Sequence, residues 1–188
     1  MGNAAQENRR VRQSITDALF TLLERKAFSE ITVSDIVRES GVARASFYRN
    51  FETKEAVVDA FLQKCHKEIV SQPELAIDRD MNPREYIMER MKHSFNCVLD
   101  RKRQIRLLYK NGFGSHLQNM ADIYIEDVAG NMLYNSPNKY LLYCFSGAAM
   151  NMLVHWLSSG TPETSQELAA VCADFFLQGF EQFYKDFQ

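Results

Sequence analysis

Between Thr32 and Phe51 the chain places two short amphipathic segments on either side of one glycine, a spacing that limits the fold more than any other feature. Thr32 is placed to cap a helix, and Asp35, three residues on, can answer it as a carboxylate variant of the capping box. The short helix that follows buries Ile36 and Val37. It stops at Ser40-Gly41, where glycine supplies the left-handed residue wanted after a helix end. A second short helix spans about Arg44 to Asn50. Ahead of both, Gln6 to Lys26 carries Ile15, Ala18, Leu19, Leu22 and Leu23 at the spacing of one apolar stripe on a longer helix. Two short helices joined by a tight glycine turn and packed on a longer one form a helix-turn-helix, whose second short helix can enter the major groove of DNA.

The rest of the chain reads as helix throughout. Thr53-Lys54-Glu55 opens a fourth helix to about Val70. Ser71 to Asn82, with Pro73, reads as a linker and a candidate subdomain boundary, which Asn82-Pro83 closes by starting a new helix. Arg84 to Leu99, Lys102 to Lys110, His116 to Tyr134, Asn138 to Ser158 and Glu163 to Phe187 follow, with no competing strand pattern, internal repeat or low-complexity tract. The expected fold is all-α: a three-helix DNA-binding domain over residues 1–53, then a helical ligand-binding and dimerisation domain over 54–188.

The third helix divides into an inward set, Phe47 and Phe51, and an outward set, Arg44, Ala45, Ser46, Tyr48 and Arg49. Arg44 at the helix start can reach guanine O6 and N7 in bidentate fashion, and small Ala45 permits close approach and can touch a thymine methyl. Ser46, Tyr48 and Lys54 are placed to donate to phosphates, and Thr32 and Val33 at the start of the second helix offer backbone N–H groups for the same purpose. For Tyr48 the alternative is a ring packed on the first helix, and for Arg49 a solvated charge. Arg9, Arg10 and Arg12 form a basic arm before the first helix, suited to a phosphate backbone or minor groove, or else a disordered solubilising tail. The net charge of −2 carries no global sign of nucleic-acid binding. Any DNA site must therefore be a local basic patch. Up to Ala56 there are nine Lys/Arg against eight Asp/Glu, and beyond it thirteen against sixteen.

Ile31-Thr32-Val33, Ile36-Val37, Ser40-Gly41-Val42, Phe47-Tyr48-Arg49-Asn50-Phe51 and Lys54-Glu55 together resemble the DNA-binding domain of the TetR/AcrR family of repressors. The resemblance implies a ligand-responsive homodimer whose first three helices bind DNA and whose later helices bind an inducer and form a four-helix dimer interface. It also implies phosphate contacts at Tyr48 and Lys54 and base-facing positions at Arg44 and Ala45. Asn50 stands where the family commonly has His, and Ala45 where it often has Gly, which puts the phosphate contact at position 50 in question. The implied partners are double-stranded operator DNA, a second copy of the chain and a small-molecule effector. A family-like protein that docks on another protein as a co-activator, without an operator, is the rival reading.

From Leu168 the last helix carries Val171, Cys172, Phe175, Phe176, Gly179, Phe180, Phe183 and Phe187 on one broad stripe, and Tyr140 to Leu157 is apolar on nearly every face. The two suggest a hairpin shared with a twofold partner, with Met152, Trp156, Phe176, Phe180 and Phe183 as interface candidates and Gly147, Ala148 and Ala149 permitting close approach. A larger core within one subunit is the alternative. An inducer pocket is expected among Tyr86, Met91, Phe95, Leu108, Tyr109, Phe113, Met120, Tyr124, Tyr143, Met150 and Asn151, a composition suited to a lipophilic or aromatic ligand.

Other functions find little support. HExxH, a glycine-rich phosphate loop, a nucleophile elbow and a CxxC pair are missing, and Gly112-Phe113-Gly114 is too short to signify, so neither enzyme activity nor a cofactor is expected. His93 and Cys97 sit four apart on a helix, but two ligands do not make a metal site. The four cysteines are expected to be reduced and buried; Cys65, beside Lys64 and His66, is the one candidate for redox sensing. Met1 to Arg12 is polar, without a signal-peptide run, and Ser146, Asn151 and His155 interrupt the apolar stretch 140–157, so a cytoplasmic protein without a membrane partner is expected.

Overall fold

The computed structural model describes residues 2–71, 82–129 and 139–185, with side chains over 5–71, 82–126 and 140–178. Among the described residues the regular structure is helical: α1 Gly2–Leu23, α2 Val33–Ser40, α3 Arg44–Asn50, α4 Lys54–Val70, α5 Pro83–Leu99, α6 Lys102–Lys110, α7 Gly114–Ala129, α8 Lys139–Ser158 and α9 Ser165–Lys185, with a 3-10 turn at Phe28–Glu30. The chain divides into two compact units, one of Met1–Lys64 with Leu107–Phe113 and one of Cys65–Arg106 with Gly114–Gln188. The expected division at 53/54 thus meets a break eleven residues further on, and a short segment from the middle of the chain joins the first unit.

The first unit is built on the α1 stripe. Ile15, Ala18, Leu19, Leu22 and Leu23 are all buried, together with Phe20, whose ring meets Phe61 of α4 edge-on at 4.7 Å. That contact, with buried Val57 and Val58, explains why the first turns of α4 belong here. Leu108 and Phe113 are buried in the same unit, where Phe113 meets Phe28 edge-on at 4.8 Å and the Asn111 carboxamide accepts the Phe28 N–H at 2.9 Å. Arg9, Arg10 and Arg12 lie inside α1 and not before it. Arg12 is held inward: its guanidinium covers the Phe51 ring at 4.2 Å and donates to the Asn50 carbonyl at 2.8 Å.

In the second unit α5 packs against α9 and α7 against α8. Asn82 caps α5 by accepting the Arg84 N–H at 2.9 Å, with Pro83 in the first turn, as expected. Arg84 then clamps Asp174 of α9 through Nε at 2.6 Å and Nη2 at 3.0 Å. α9 starts at Ser165 and not at Glu163, because Thr164 and Glu167 form a reciprocal cap: the Glu167 carboxylate accepts the Thr164 N–H at 2.8 Å and Thr164 Oγ1 accepts the Glu167 N–H at 3.2 Å. No helix among the described residues is long and apolar enough to cross a membrane.

Candidate nucleic-acid interface

The second helix is started and stopped by local chemistry. Thr32 Oγ1 accepts the Asp35 N–H at 3.1 Å, while the Asp35 carboxylate accepts the Thr32 N–H at 3.0 Å and its hydroxyl at 2.8 Å. Gly41 closes the helix at φ +69, a conformation that side-chain-bearing residues rarely adopt. Lys26 donates to Asp35 at 2.8 Å, and this bond, with those from Thr32, holds the Asp35 carboxyl well below the usual carboxylate range. A depressed folded-state value means that the stabilisation is present above the ordinary value of 3.8 and is lost as pH falls below it. Asp35→Asn is therefore expected to lower the thermal midpoint at pH 7, and the gap to wild type should begin to narrow below about pH 3.8 and close only well below it, as pH falls through the depressed folded value. A gap that persists at low pH would remove the charge of Asp35 from the account.

The third helix presents the expected division. Phe47 and Phe51 are buried, whereas Arg44, Ala45, Tyr48 and Arg49 are exposed and Ser46 is half-buried. Tyr48 is 48% exposed, and its ring meets Phe47 edge-on at 5.4 Å. Arg44 donates to Ser34 of α2 at 2.8 Å and to the Tyr48 hydroxyl at 3.1 Å, with its guanidinium 5.4 Å from the Tyr48 ring centroid. Arg49 donates to Ser46 Oγ at 2.7 Å. Arg44, Tyr48 and Ser34 thus form one connected polar group across α2 and α3. Asn50 turns back into the fold, its carboxamide donating to the Ser46 carbonyl at 2.9 Å.

Two of the expected phosphate donors are otherwise engaged. Thr32 spends both its N–H and its hydroxyl on Asp35, so of the two expected amides Val33 is the one left at the helix start. Lys54 reaches away from α3: its ammonium donates to the carbonyls of Phe28 at 2.7 Å and Ile31 at 2.8 Å, has a longer contact to Ser29 at 3.5 Å, and lies 4.4 Å from the Phe28 ring centroid. It ties α4 to the turn that leads into α2.

The second unit holds a half-open pocket of about 70 Å³, whose wall is almost entirely apolar. Met91, Phe95, Met120, Tyr124 and Met150 line it as expected, joined by His66, Ser94 and Ser146, which the sequence did not mark as pocket residues. Tyr86, Leu108, Tyr109, Phe113, Tyr143 and Asn151 do not line it. Leu108 and Phe113 fill the first unit, Tyr109, Tyr143 and Asn151 are exposed, and Tyr86 is half-buried beside Arg90. Periodicity marks these residues as core-forming or aromatic, but not which core they enter.

Of the interface candidates, Trp156 belongs to its own subunit's core. It is 3% exposed, donates from Nε1 to the Glu163 carbonyl at 3.1 Å and meets Phe95 edge-on at 5.9 Å. Met152 and Phe176 are half-buried, with Phe176 against Phe145 at 4.6 Å, and the side chains of Phe180 and Phe183 lie outside the described residues. The exposed apolar surface sits beside them, at Val171 (58%) and Phe175 (54%) on α9 and at Tyr140, Cys144 and Ala148 on α8. Cys144 is therefore exposed, against expectation, while Cys65 and Cys172 are buried. Burial pushes the Cys172 thiol up to about 12 and also raises that of Cys97. Cys97 lies 3.5 Å from His93, whose Nε2 is 3.1 Å from the Glu68 carbonyl, and no group of three metal-ligating side chains occurs among the described residues.

Residues 15–61 match the model of bacterial regulatory proteins of the tetR family, and residues 85–178 match that of a transcriptional regulator C-terminal region. The chain belongs to the TetR family. TetR-family proteins are DNA-binding transcriptional regulators and not enzymes, and the α2–α3 surface is the candidate nucleic-acid interface of this one. An uncharacterised HTH-type transcriptional regulator, YxbF of Bacillus subtilis (strain 168), is 28% identical over 91 residues, 48% of this chain and 23% of that protein. The match thus spans about a quarter of that relative. Among solved structures, a TetR transcriptional regulator from Streptococcus agalactiae 2603V shares the fold at a TM-score of 0.58 and 20% identity, over 92% of this chain and 97% of that one. The fatty acid degradation regulator FadR from Bacillus halodurans does so at 0.63 and 14%, over 90% and 95%. The dihydroxyacetone kinase operon activator DhaS does so at 0.61 and 12%, over 91% and 96%. Within this candidate interface of a TetR-family protein, Ser34 is the partner of Arg44 that sequence reasoning missed; its exposed place two residues after the capping Thr32 was the available signal.

Proposed function

We propose that this regulator binds a near-palindromic operator as a homodimer, represses from it, and is released when a small lipophilic effector enters the second unit's pocket. The observation that carries the reading is the outward face of α3, where Arg44, Ala45, Tyr48 and Arg49 are exposed on a helix anchored by buried Phe47 and Phe51. Arg44 reads a base pair, Ala45 allows close approach, and Tyr48, Ser46 and Arg49 serve phosphates together with the Val33 amide at the start of α2. Lys54 contributes by holding the turn that positions that amide.

A single helix-turn-helix reads one half-site and binds poorly, so a second copy is part of the reading. The exposed α8 and α9 surface of Tyr140, Cys144, Ala148, Val171 and Phe175 supports it, because Ala148 permits a close helix approach and the two α9 residues supply apolar area. Twofold symmetry then sets the two α3 helices about one DNA turn apart, roughly 34–36 Å or a multiple of it. The effector acts only if it binds the released and DNA-bound states with different affinity.

Selection from a random DNA pool, followed by titration of the selected site against salt, tests the reading. A palindrome should emerge, and log affinity should fall against log salt with a slope of about −0.9 for each phosphate neutralised. An unenriched pool and a nearly flat slope would instead favour docking on another protein.

A further inference from the structure

An arginine that reads a base edge must settle into one of many side-chain conformations, and ordering so long a chain weakens binding unless it is already ordered in the free protein. The inference rests on the operator-binding reading, in which Arg44 faces the DNA. In the free protein the Arg44 guanidinium is bracketed from two helices. Its Nη1 donates to Ser34 Oγ of α2 at 2.8 Å, ten residues back across the Gly41 turn, and its Nη2 donates to the Tyr48 hydroxyl at 3.1 Å, one turn on along α3. The guanidinium carbon lies 5.4 Å from the Tyr48 ring centroid. Tyr48 alone would tie the head only to its own helix. The Ser34 bond sets it relative to α2 as well, so the planar group is fixed against both halves of the helix-turn-helix.

Both groups that hold Arg44 are neutral. No carboxylate pairs with it among the described residues. Asp35, next to Ser34 in the chain, is spent elsewhere: one oxygen accepts from Lys26 and Thr32 and the other from Arg38. Two hydroxyls therefore orient the guanidinium without neutralising it. Of its five N–H groups two are used, which leaves Nε and two others for a guanine edge. A carboxylate in place of Ser34 would hold the head more firmly, but it would compensate the charge that DNA attracts. Nor is Ser34 needed for the fold of α2. It is exposed, and the helix start is secured by the reciprocal cap of Thr32 and Asp35.

We propose that Ser34 is a positioning residue for base recognition: its hydroxyl, with that of Tyr48, holds Arg44 ready for one guanine in each half-site and so sets specificity at that base pair without itself contacting DNA.

The test uses the intact chain as wild type, Ser34→Ala, Ser34→Thr, Arg44→Ala and the double variant that joins Ser34→Ala to Arg44→Ala. A site is selected from random DNA with the wild type, and each protein is titrated with that site and its single-base variants, alongside thermal melts. Ser34→Ala should weaken operator binding about fivefold per recognition helix, roughly 25-fold on a symmetric site, which is the scale of ordering one long side chain. The lost preference should fall on the base pair that Arg44→Ala leaves unread, while the preference at other positions and the melting point stay as in wild type. Ser34→Thr keeps the hydroxyl and should restore most of the loss. In the Arg44→Ala background, Ser34→Ala should cost nothing more. Additive losses in the double variant, or an equal loss on every single-base variant, would show that Ser34 meets DNA itself and overturn the proposal. A lower melting point for Ser34→Ala would overturn it as damage to α2. Full base preference in Ser34→Ala, with Arg44→Ala still losing it, would overturn the positioning role and keep Arg44 as the reader. A wild type that selects no site would instead sink the operator-binding reading, and the role of Ser34 with it.

Discussion

Arg44→Ala should cost operator affinity about one to two orders of magnitude per recognition helix and leave the fold unchanged. A bidentate arginine–guanine contact supplies roughly 1–3 kcal/mol of discrimination, and a symmetric operator counts it twice. The side chain is exposed and its partners, Ser34 and Tyr48, are exposed too, so its loss opens no cavity and strands no buried group. The affected quantity is specificity. In competition between the selected operator and scrambled DNA, wild type should prefer the operator strongly, and Arg44→Ala should approach parity while its salt slope changes little. Tyr48→Phe separates the second role of the cluster. It keeps the ring against Phe47 and removes the hydroxyl that accepts from Arg44, so it should weaken operator binding less than Arg44→Ala. An Arg44→Ala protein that retains the full operator preference would show that the base is read by another residue.

What was legible in the sequence follows the range of the interactions involved. The α2–α3 element could be read almost residue by residue because its determinants are local: Thr32 and Asp35 cap each other three residues apart, Gly41 ends the helix by its own backbone freedom, and Phe47 and Phe51 share a face by spacing alone. Lys54 and Trp156 are less legible for the opposite reason. The partners of Lys54 lie 23 to 26 residues away, on backbone carbonyls that carry no sequence signature. Its place on an apolar helix makes Trp156 a dimer-interface candidate, whereas in the fold it donates to the Glu163 carbonyl and packs on the ring of Phe95 inside its own subunit. Leu108 and Phe113 show the same limit at the level of domains. Helical periodicity identified them as apolar positions, and nothing nearby in the chain says that they serve the unit containing Phe28. The pocket was legible as a region, through its methionines and Phe95, whereas Ser94 and Ser146 gain meaning only from what they touch.

Lys54→Met should lower the stability of the first unit by about 1–3 kcal/mol, seen as a fall of several degrees in its melting point, because it leaves the carbonyls of Phe28 and Ile31 without their donor. The methylene stem keeps its packing, so the change isolates the ammonium. Two roles for this lysine make opposite statements about salt. If the ammonium sat on a phosphate, removing it would flatten the log–log salt slope by about 0.9 per subunit and leave the melting point almost unchanged. If it holds the turn before α2, the slope stays and stability falls. Affinity would then drop through a looser placement of Val33 and Ser34, and the drop would deepen with temperature. The distances favour the second outcome: two carbonyls within 2.8 Å and a ring beneath the charge already compensate it, and they leave a phosphate only the third N–H, which faces the Ser29 carbonyl at 3.5 Å. Lys54→Arg sharpens the contrast. A planar guanidinium would serve a phosphate at least as well as an ammonium, but its fixed fork is ill matched to two carbonyls converging on one point. Arginine should therefore fail to restore the melting point if Lys54 acts within the fold, and should restore operator affinity if it acts on DNA.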